Sequence, residues 1–263
     1  MIIKSIHQRI GRAFSNASIS YDVLTGLHKE IAREMVDKIK DKAPIEKILD
    51  IGMGTGYMTN RLSQYFAGTK VVGIDIADGM MIEAKKKYEV FDIVGCDARA
   101  LAFPNDLFDL IVSNLAFQWV DPLNRSFEEC FRVLKPNGEI HFTLFGQNTF
   151  HELFACLEGA AGVYDKPFVV KKLPSEKYIK ESLTNSGFKD GILREEKISS
   201  HFPDMMSLLQ WIKDIGANCL GRDTFVGPDL LEKANAFYEN NYKDAAGVRV
   251  TFQVFWVSAK KNG

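Results

Sequence analysis

Short apolar segments alternate with segments of helical periodicity between residues 48 and 145. A mostly apolar run of four to seven residues is typical of a strand that is buried on both faces, as in a parallel sheet. The pattern predicts strands at 48–51, 71–75, 91–97, 108–114 and 139–145, and helices at 57–66, 79–88 and 122–134. Strands and helices that alternate in this way indicate a parallel sheet with right-handed crossovers.

The flanking segments predict further helices and two more strands. Helical spacing of apolar residues is found at 1–22, 24–40, 174–186, 204–217 and 228–238, and in part of 147–170. Alternation of apolar and polar residues predicts an edge strand at 188–201 and the last strand at 248–259, and residues 135–138 are predicted as a turn.

Together these elements predict an α/β fold with a mostly parallel seven-stranded sheet and helices on both faces. We expect a single domain with three parts. Residues 1–45 form an N-terminal helical cap, 46–146 the core, and 147–263 the rest of the sheet with an inserted helical lid. The helices between the last two strands are expected to cover the carboxyl ends of the parallel strands, where ligands bind in such folds.

Three glycines, Gly52, Gly54 and Gly56, follow the first strand of the core at alternate positions. A turn without Cβ atoms lets a ligand approach the backbone closely. The helix predicted at 57–66 directs the N–H groups of its first turn toward the same loop. The spacing G-x-G-x-G differs from the dinucleotide fingerprint G-x-G-x-x-G, in which the first helical turn seats a pyrophosphate.

Acidic residues at strand ends indicate which ligand the loop suits. Asp50 lies just before the glycines, where it repels a phosphate and favours a ligand with positive charge. Asp75 ends the next strand, and in doubly wound folds an acid at that point accepts hydrogen bonds from ribose hydroxyls. Asp97 and Asn114 lie near the ends of two further strands. The four side chains are therefore expected to converge on one site.

The acid, the glycine turn and the ribose acid together resemble the Rossmann-like S-adenosylmethionine-dependent methyltransferases. The cofactor of that class is a nucleoside with a sulfonium and an amino group and no phosphate. The resemblance implies the class I methyltransferase fold, S-adenosylmethionine as cofactor with S-adenosylhomocysteine as its product, and no metal. The cofactor-binding positions that it implies are Asp50, Gly52, Gly54, Gly56, Asp75, Ile76, Asp97, Ala98 and Asn114.

Other motifs resemble the malonyl-[acyl-carrier protein] O-methyltransferases of biotin synthesis, over nearly the whole chain. They are RIGRAFS at 9–15, SYD at 20–22, SNLAFQW at 113–119, FTLFG at 142–146 and WIKDIGAN at 211–218. The resemblance implies methyl transfer to the free carboxylate of a malonyl thioester on acyl carrier protein, or on coenzyme A. The methyl ester hides a charge, so that fatty-acid synthesis can extend the unit.

A carboxylate acceptor needs little acid–base chemistry. It is ionised at pH 7, because carboxyl pKa values lie near ~4. Positioning and exclusion of water then carry most of the rate. We predict Tyr21 as a hydrogen-bond donor, Gln118 as a positioning residue and Trp119 as a pocket wall. Ordinary packing remains an alternative for Tyr21, as does a core or lid position for Trp119.

One position departs from the family pattern. Many relatives carry a basic residue after the fifth strand, where this chain has Glu152-Leu153-Phe154. A cation for the malonyl group must then come from elsewhere, and the candidates are Arg125, Lys166, Lys171 and Lys172.

Two basic stretches are candidates for binding the carrier protein. Arg9 and Arg12 belong to the N-terminal helix, and lysines are frequent between residues 166 and 180. Exposed positive charge of this kind steers an acidic partner toward a site. A solvated helix face is the alternative interpretation of both stretches.

Composition excludes several classes of protein. The 263 residues carry a formal net charge of −1, without the basic excess of a nonspecific nucleic-acid binder. The four cysteines form no C-x-x-C pair, so neither a zinc site nor a disulfide framework is predicted. The first residues do not resemble a signal peptide, and no apolar run approaches the ~20 residues of a membrane helix. We expect a cytoplasmic monomer that binds neither nucleic acid nor a membrane.

Two other functions remain open from the sequence. A methyltransferase for another small carboxylic acid or a quinone-type ring carbon shares the cofactor half and differs only in its lid. A ring carbon usually requires a base, and none is evident in the sequence. A non-catalytic module that senses the cofactor or docks a carrier also keeps the acids Asp50 and Asp75.

Overall fold

One mixed sheet forms the centre of the molecule. The computed structural model describes residues 6–39, 45–163, 172–218 and 227–262. The strands in these ranges are β1 (Lys47–Ile51), β2 (Lys70–Asp75), β3 (Asp92–Gly95), β4 (Phe108–Asn114), β5 (Leu134–Phe145), β6 (Lys189–Phe202), β7 (Lys243–Asp244) and β8 (Gly247–Lys260). Their order is β3-β2-β1-β4-β5-β8-β6, and β7 pairs with β8. The pairs among β1 to β5 are parallel and those of β8 antiparallel, which confirms the predicted mostly parallel sheet.

The described helices lie close to their predicted positions. They are α1 (Ile6–Leu24), α2 (Gly26–Ile39), α3 (Tyr57–Tyr65), α4 (Asp78–Lys87), α5 (Leu123–Val133), α6 (His151–Val163), α7 (Glu176–Asn185), α8 (Met205–Asp214) and α9 (Pro228–Tyr242), with a 3-10 turn at Phe117–Trp119. The part of the predicted segment 147–170 beyond residue 163 lies outside the described residues. None of these helices combines the length and the apolar character needed to cross a bilayer.

The structure corrects three details near the strands. The predicted turn at 135–138 lies within β5, which begins before it. Leu134 pairs with Phe108 and Glu139 pairs with Leu110, so residues 135–138 lie opposite the single residue Asp109 and the register of the pairing shifts there. β3 covers only 92–95 instead of 91–97. β7 was not predicted, because two residues are too few to show an apolar period.

Both faces of the sheet are covered, as β1 illustrates. Ile48 belongs to a core that also contains residues of α2, α3 and α6, whereas Leu49 and Ile51 belong to a second core with residues of α5 and α7. Successive side chains of a strand point to opposite faces, so β1 is buried on both sides. The apolar run at 48–51 predicts this burial correctly.

Helix α1 is held between α4 and the end of α8. A Cβ atom on Gly79 of α4 would lie 2.4 Å from the carbonyl oxygen of Ser15, so only glycine allows this approach. Gly216 follows α8, and a Cβ atom there would lie 2.9 Å from the carbonyl oxygen of Ala13. The indole Nε1 of Trp211 in α8 donates to the carbonyl oxygen of Leu24 at 2.9 Å. These contacts place α1 beside the carboxyl ends of the parallel strands.

Candidate active site

Three adjoining cavities lie at the carboxyl ends of β1, β2 and β4. The first is lined by these strand ends, α1 and the segment after β4, and its space of about 790 Å³ includes a part that is open to solvent. The second lies between the glycine loop and α2, and the third between α1, α2, the 3-10 turn and α8. Asn114 borders the first and second, His28 borders the second and third, and Tyr21 borders all three.

The structure brings most of the sequence-predicted cofactor residues to these cavities. The first cavity is lined by Tyr21, Gly52, Gly54, Asp75, Ile76, Asp97, Ala98, Asn114 and Trp119. Asp50 borders the second cavity and Gln118 the third. Gly56 borders none of the three. It precedes α3 with a φ of 84°, and a Cβ atom there would lie 2.9 Å from the ring of Phe91.

Gly52 and Gly54 are required for different reasons. Both have positive φ values, of 71° and 56°, which L side chains rarely adopt. A Cβ atom on Gly52 would lie 2.3 Å from the Cβ atom of Ala116, so this glycine allows the loop to pack against the segment after β4. A Cβ atom on Gly54 would have no protein atom within 4 Å. The open space beside Gly54 belongs to the first and second cavities and is available to a ligand.

Asp75 connects the glycine loop to the start of α4. Its Oδ2 accepts from the backbone N–H of Gly54 and its Oδ1 from that of Ala77, both at 2.8 Å. Burial raises the pKa of Asp75, and the backbone hydrogen bonds oppose that rise. A carboxylate has about four lone-pair sites. Two N–H donors therefore leave capacity for two more, as the hydroxyls of a ribose require.

Asp50 carries an unpartnered acceptor. The residue is fully buried, its Oδ2 accepts from the hydroxyl of Thr59 at 2.6 Å, and its Oδ1 has no hydrogen-bond partner among the described residues. Burial raises the pKa of Asp50 to about 7, with the charge of Asp75 as a smaller contribution in the same direction. Because a buried acceptor is costly to leave unpaired, this oxygen suits a cationic donor such as an ammonium group.

Asp97 and Asn114 already have protein partners. Asp97 accepts from the guanidinium of Arg99 through both oxygens, and these hydrogen bonds lower the pKa of Asp97 below its usual value. The side-chain amide of Asn114 donates to the carbonyl oxygen of His28 at 3.0 Å and accepts from the hydroxyl of Thr143 at 2.8 Å. Asn114 therefore fixes α2 to the end of β4, in addition to lining two cavities.

Tyr21 lies where the three cavities meet. Burial raises the pKa of the Tyr21 hydroxyl, and the charges of Asp75 and Asp22 raise it further. The phenol is therefore neutral at pH 7 and can donate a hydrogen bond. Its ring makes edge contacts with the rings of Phe14, at 6.3 Å between centroids, and His28, at 6.1 Å. These contacts keep the hydroxyl-bearing ring beside the second and third cavities.

Gln118 and Trp119 border the third cavity from the 3-10 turn. Gln118 is only 3% exposed; its Nε2 donates to the carbonyl oxygen of Leu115 at 2.7 Å, while its Oε1 has no partner in the described part of the chain. The ring of Trp119 makes an edge contact with that of Phe14 at 5.4 Å between centroids. Trp119 thus borders the first and third cavities, and Gln118 places an unpaired acceptor at the third.

His28 was missed by sequence reasoning. It lies on the buried face of α2, and burial lowers the pKa of its imidazole to about 4. Its Nδ1 is buried and has no hydrogen-bond partner within residues 6–39, 45–163, 172–218 and 227–262. The signal in the sequence was a polar residue beside the apolar stripe of α2, three positions before Ile31. A buried histidine in that position is ordinarily part of a core, and only the cavities distinguish it.

The inner face of α1 was also missed. His7, Ile10 and Phe14 line the first cavity, whereas the functional residues predicted in this helix were Tyr21 and the basic residues Arg9 and Arg12. Helical spacing did predict a buried face, but nothing in the sequence indicates which element that face covers. The first cavity is therefore closed on one side by the N-terminal helix.

The predicted basic residues lie away from the three cavities. Arg9 and Arg12 are exposed on α1, and Lys172 is exposed before α7. Arg125 is exposed on α5 and pairs with Glu128 at 3.1 Å. Lys166 and Lys171 lie outside the described residues.

Lys29 is the cation among the described residues that borders one of these cavities. It borders the second cavity, where its ammonium lies 3.5 Å from the carboxylate of Asp22 and 5.4 Å from the ring centroid of Tyr57. The described residues around the third cavity include no lysine or arginine.

Glu152, which stands where many relatives carry a basic residue, is a structural anchor. Its side chain is fully buried and accepts hydrogen bonds from the backbone N–H and the hydroxyl of Thr251 in β8. It borders none of the three cavities. The carboxylate therefore ties α6 to the sheet and does not face a ligand.

The donor and acceptor set fits S-adenosylmethionine. Asp75 has spare acceptor capacity for ribose hydroxyls, the unpaired oxygen of Asp50 suits an amino group, and Gly54 leaves room beside its backbone. In the described part of the chain, no group of three or more His, Cys, Asp or Glu side chains is arranged to hold a metal ion.

Comparison with known proteins agrees with this geometry. Residues 49–142 match the profile of a family described as a methyltransferase domain. The structure of YcgJ from Bacillus subtilis superposes with a TM-score of 0.63 at 15% identity, covering 88% of this chain and 98% of that one. Phosphoethanolamine N-methyltransferase 2 of Haemonchus contortus, solved with S-adenosyl-L-methionine, gives 0.63 at 18% identity, covering 99% of this chain and 61% of that one. The fold and the site define a class I S-adenosylmethionine-dependent methyltransferase.

Full-length relatives point to one group within that class. A protein of Methylococcus capsulatus named malonyl-[acyl-carrier protein] O-methyltransferase is 28% identical over 96% of this chain and 93% of its own length. A protein of the same name from Brevibacillus brevis is 29% identical over 95% of both chains. The likeness extends beyond the cofactor half to the helices that border the third cavity.

Proposed function

We propose that the protein transfers a methyl group from S-adenosylmethionine to the free carboxylate of a malonyl thioester carried by acyl carrier protein. The observation that carries this proposal is the third cavity, a mainly apolar space that meets the cofactor cavities at Tyr21. The full-length likeness to proteins named for this reaction supports it. The product is the malonyl methyl ester that primes biotin synthesis.

The apolar walls suit a reaction between an anion and a cation. Phe14, Trp119, Phe145, Phe150 and Trp211 border the third cavity and exclude water from it. Removal of water strengthens the attraction between opposite charges and leaves a carboxylate more reactive. When bound, S-adenosylmethionine supplies an electrophilic methyl group, which a carboxylate takes without loss of a proton. The chain therefore has to position and desolvate its substrate, and needs no general base.

The two acids of the site, Asp75 and Asp50, bind different groups of the cofactor. Asp75 accepts from ribose hydroxyls, and the unpaired oxygen of Asp50 accepts from the amino group of the cofactor. Tyr21 donates a hydrogen bond to the substrate. Gln118 limits where the polar groups of the substrate can lie. Methylation of a ring carbon is less well supported, because the imidazole of His28, with its pKa lowered to about 4, is too weak a base at neutral pH.

The test is methyl transfer from labelled S-adenosylmethionine to malonyl-carrier protein, malonyl-coenzyme A, free malonate and a quinone precursor. We expect kcat/KM to be highest for malonyl-carrier protein, then malonyl-coenzyme A, with little transfer to the other two. Acetyl-carrier protein, which lacks the free carboxylate, serves as the matched control and accepts no methyl group. Transfer to free malonate or the quinone precursor at rates above the thioesters contradicts the proposal.

A further inference from the structure

Two buried polar side chains border the third cavity with atoms that have no partner. His28 is 9% exposed and Gln118 is 3% exposed. Among the residues that the structure describes, neither the Nδ1 of His28 nor the Oε1 of Gln118 has a hydrogen-bond partner. Buried polar atoms are paired in most folded proteins, and an exception calls for an explanation such as a ligand. Both residues border the same cavity, so a ligand bound there lies near both.

His28 is rigidly placed at the junction of two cavities. It borders the second and the third, and its ring is edge-on to Tyr21 on one side and to Phe145, at 5.6 Å between centroids, on the other. The carbonyl oxygen of His28 accepts from Asn114, which ties this turn of α2 to the end of β4. A donor held in this way is preorganised for a ligand, since neither backbone nor ring has to move.

A carboxylate in this position needs hydrogen-bond donors. No lysine or arginine is found among the described residues around the third cavity, and Lys29, at the second, is paired with Asp22. The Tyr21 hydroxyl and the His28 imidazole are donors that border both of these cavities. The unpaired Oε1 of Gln118 is an acceptor, which repels a carboxylate and favours the end of the cavity near His28.

We propose that His28 is a substrate-binding residue, and that its neutral imidazole N–H and the Tyr21 hydroxyl together hold the malonyl carboxylate. This inference rests on the proposed function and names the residues that hold the malonyl carboxylate, which the sequence did not identify. A neutral donor has two advantages over a cation here. It is less costly to bury while the cavity is empty, and it withdraws less charge from the attacking oxygen than a guanidinium does.

The carboxylate approaches an acidic neighbourhood. Asp50 and Asp75 border the cofactor cavities, and Asp22 lies beside the second. Their negative charge disfavours a bound carboxylate until a cationic ligand lies between them. We therefore expect the malonyl group to bind weakly to the free protein and more tightly in the presence of a cationic cofactor analogue.

The test compares ligands with and without the carboxylate. Fluorescence of Trp119 and Trp211, which border the third cavity, reports binding of malonyl-coenzyme A, its methyl ester and acetyl-coenzyme A. Sinefungin, an amine analogue of the cofactor that transfers no methyl group, occupies the cofactor site. Wild type should bind malonyl-coenzyme A more tightly than the other two.

Two substitutions separate the donor from the shape of the ring. His28→Phe keeps an aromatic ring beside Tyr21 and Phe145 but has no nitrogen, and His28→Asn keeps a donor near the position of Nδ1. Hydrogen bonds to charged groups support an expected loss of about 10- to 100-fold in affinity for malonyl-coenzyme A in His28→Phe. Affinity for acetyl-coenzyme A should stay within about threefold, and His28→Asn should recover most of the loss.

The outcomes distinguish this inference from the proposed function. If His28→Phe binds malonyl-coenzyme A as tightly as wild type does, the inference is wrong and the methyl-transfer result stands by itself. An equal loss for all three thioesters also contradicts it, because the residue then shapes the cavity and does not bind the carboxylate. If wild type neither prefers malonyl-coenzyme A nor methylates a malonyl thioester, the proposed function itself fails.

Discussion

Asp50 shows how the burial of a single carboxyl group links the protein to pH. Its pKa is raised from 3.8 to about 7, so the folded protein keeps a proton that the unfolded chain has lost. The contribution of Asp50 to the stability of the ligand-free protein therefore falls as the pH rises from about 4 to about 7. A cationic ligand favours the ionised form, so its affinity changes in the opposite sense.

We predict that the affinity for S-adenosylhomocysteine rises with pH through about 7. At pH 6 it should be about tenfold weaker than at pH 8, because the site must first lose a proton. Calorimetric titration at pH 6, 7 and 8, in buffers of different ionisation enthalpy, measures both the affinity and the released proton. Asp50→Asn should bind more weakly at pH 8 and show no such rise. The same pH dependence in Asp50→Asn would assign the proton to another group.

At the scale of elements, α1 is joined to its neighbours through Asp22. Thr55 of the glycine loop donates to its Oδ1 at 2.7 Å, and Lys87 of α4 donates to its Oδ2 at 2.6 Å. Burial alone would raise the pKa of Asp22, but the hydrogen bonds from Lys87 and Thr55 and the charge of Lys29 outweigh it and lower the pKa. This carboxylate therefore holds the end of α1 over the first cavity.

We predict that Asp22→Asn loosens α1. The partners are partly exposed, so the loss of the charge pairs should lower the opening free energy of the helix by only about 1 kcal/mol. Hydrogen exchange of residues 6–24 should then be about fivefold faster in the ligand-free protein. S-adenosylhomocysteine should slow this exchange in both proteins, because a bound ligand stabilises the cover.

Glu83→Gln is the matched control for this prediction. It removes an acid from α4 whose partner, Lys86, belongs to the same helix. Exchange of residues 6–24 should be unchanged in this variant. Equal exchange of wild type and Asp22→Asn, or equal exchange with and without the ligand, argues against α1 as a mobile cover.

Local sequence patterns predicted the bounds of single strands and helices better than the way in which these elements pair and pack. Residues 108–114 were assigned correctly at both ends, because an apolar run between polar residues defines a buried strand by itself. The register shift at 135–138 depends on how β5 pairs with β4, and the sequence of β5 alone does not determine that pairing.

The candidate site shows the same division. The glycines and Asp75 belong to a local motif and were predicted together. His28 could not be assigned, because its role depends on a cavity formed by α1, α2 and α8, which are far apart in the chain. Arg99, the partner of Asp97, was also missed, since many side chains could have neutralised that acid.

At the scale of the whole molecule, the proposed function requires a carrier protein to dock where its arm reaches the third cavity. The outer face of α1 carries Arg9 and Arg12, and both are exposed; the same helix borders the third cavity through Phe14 and Tyr21. Exposed charges act mainly on the rate of encounter, and salt screens them over roughly 8 Å at physiological ionic strength. This face is therefore a candidate for steering an acidic partner.

We predict that Arg9→Glu with Arg12→Glu lowers kcat/KM for malonyl-carrier protein by about tenfold at low salt, through slower association. The kcat for malonyl-coenzyme A should be unchanged, because that substrate does not use the face. Raising the salt concentration should remove most of the difference between variant and wild type. Steady-state kinetics at several salt concentrations measures all three effects.

Lys189→Glu with Lys260→Glu is the control with the same change of charge. These exposed lysines are partners in the pairing of β6 with β8, and Lys260 also pairs with Glu139 of β5. They lie at the end of the sheet opposite the cavities. Their reversal should leave the carrier kinetics near those of wild type. If both double variants lose activity equally, net charge rather than a docking face explains the effect.

The position of Tyr21 has a consequence for the order of binding. The residue belongs to α1, which covers the first cavity, and it also forms part of the wall of the third. A cofactor that enters by displacing α1 removes that wall, so the acceptor pocket is complete only after α1 has closed again. We therefore predict an ordered kinetic mechanism, in which the cofactor binds first and its spent form leaves last, and product-inhibition patterns with S-adenosylhomocysteine measure this order.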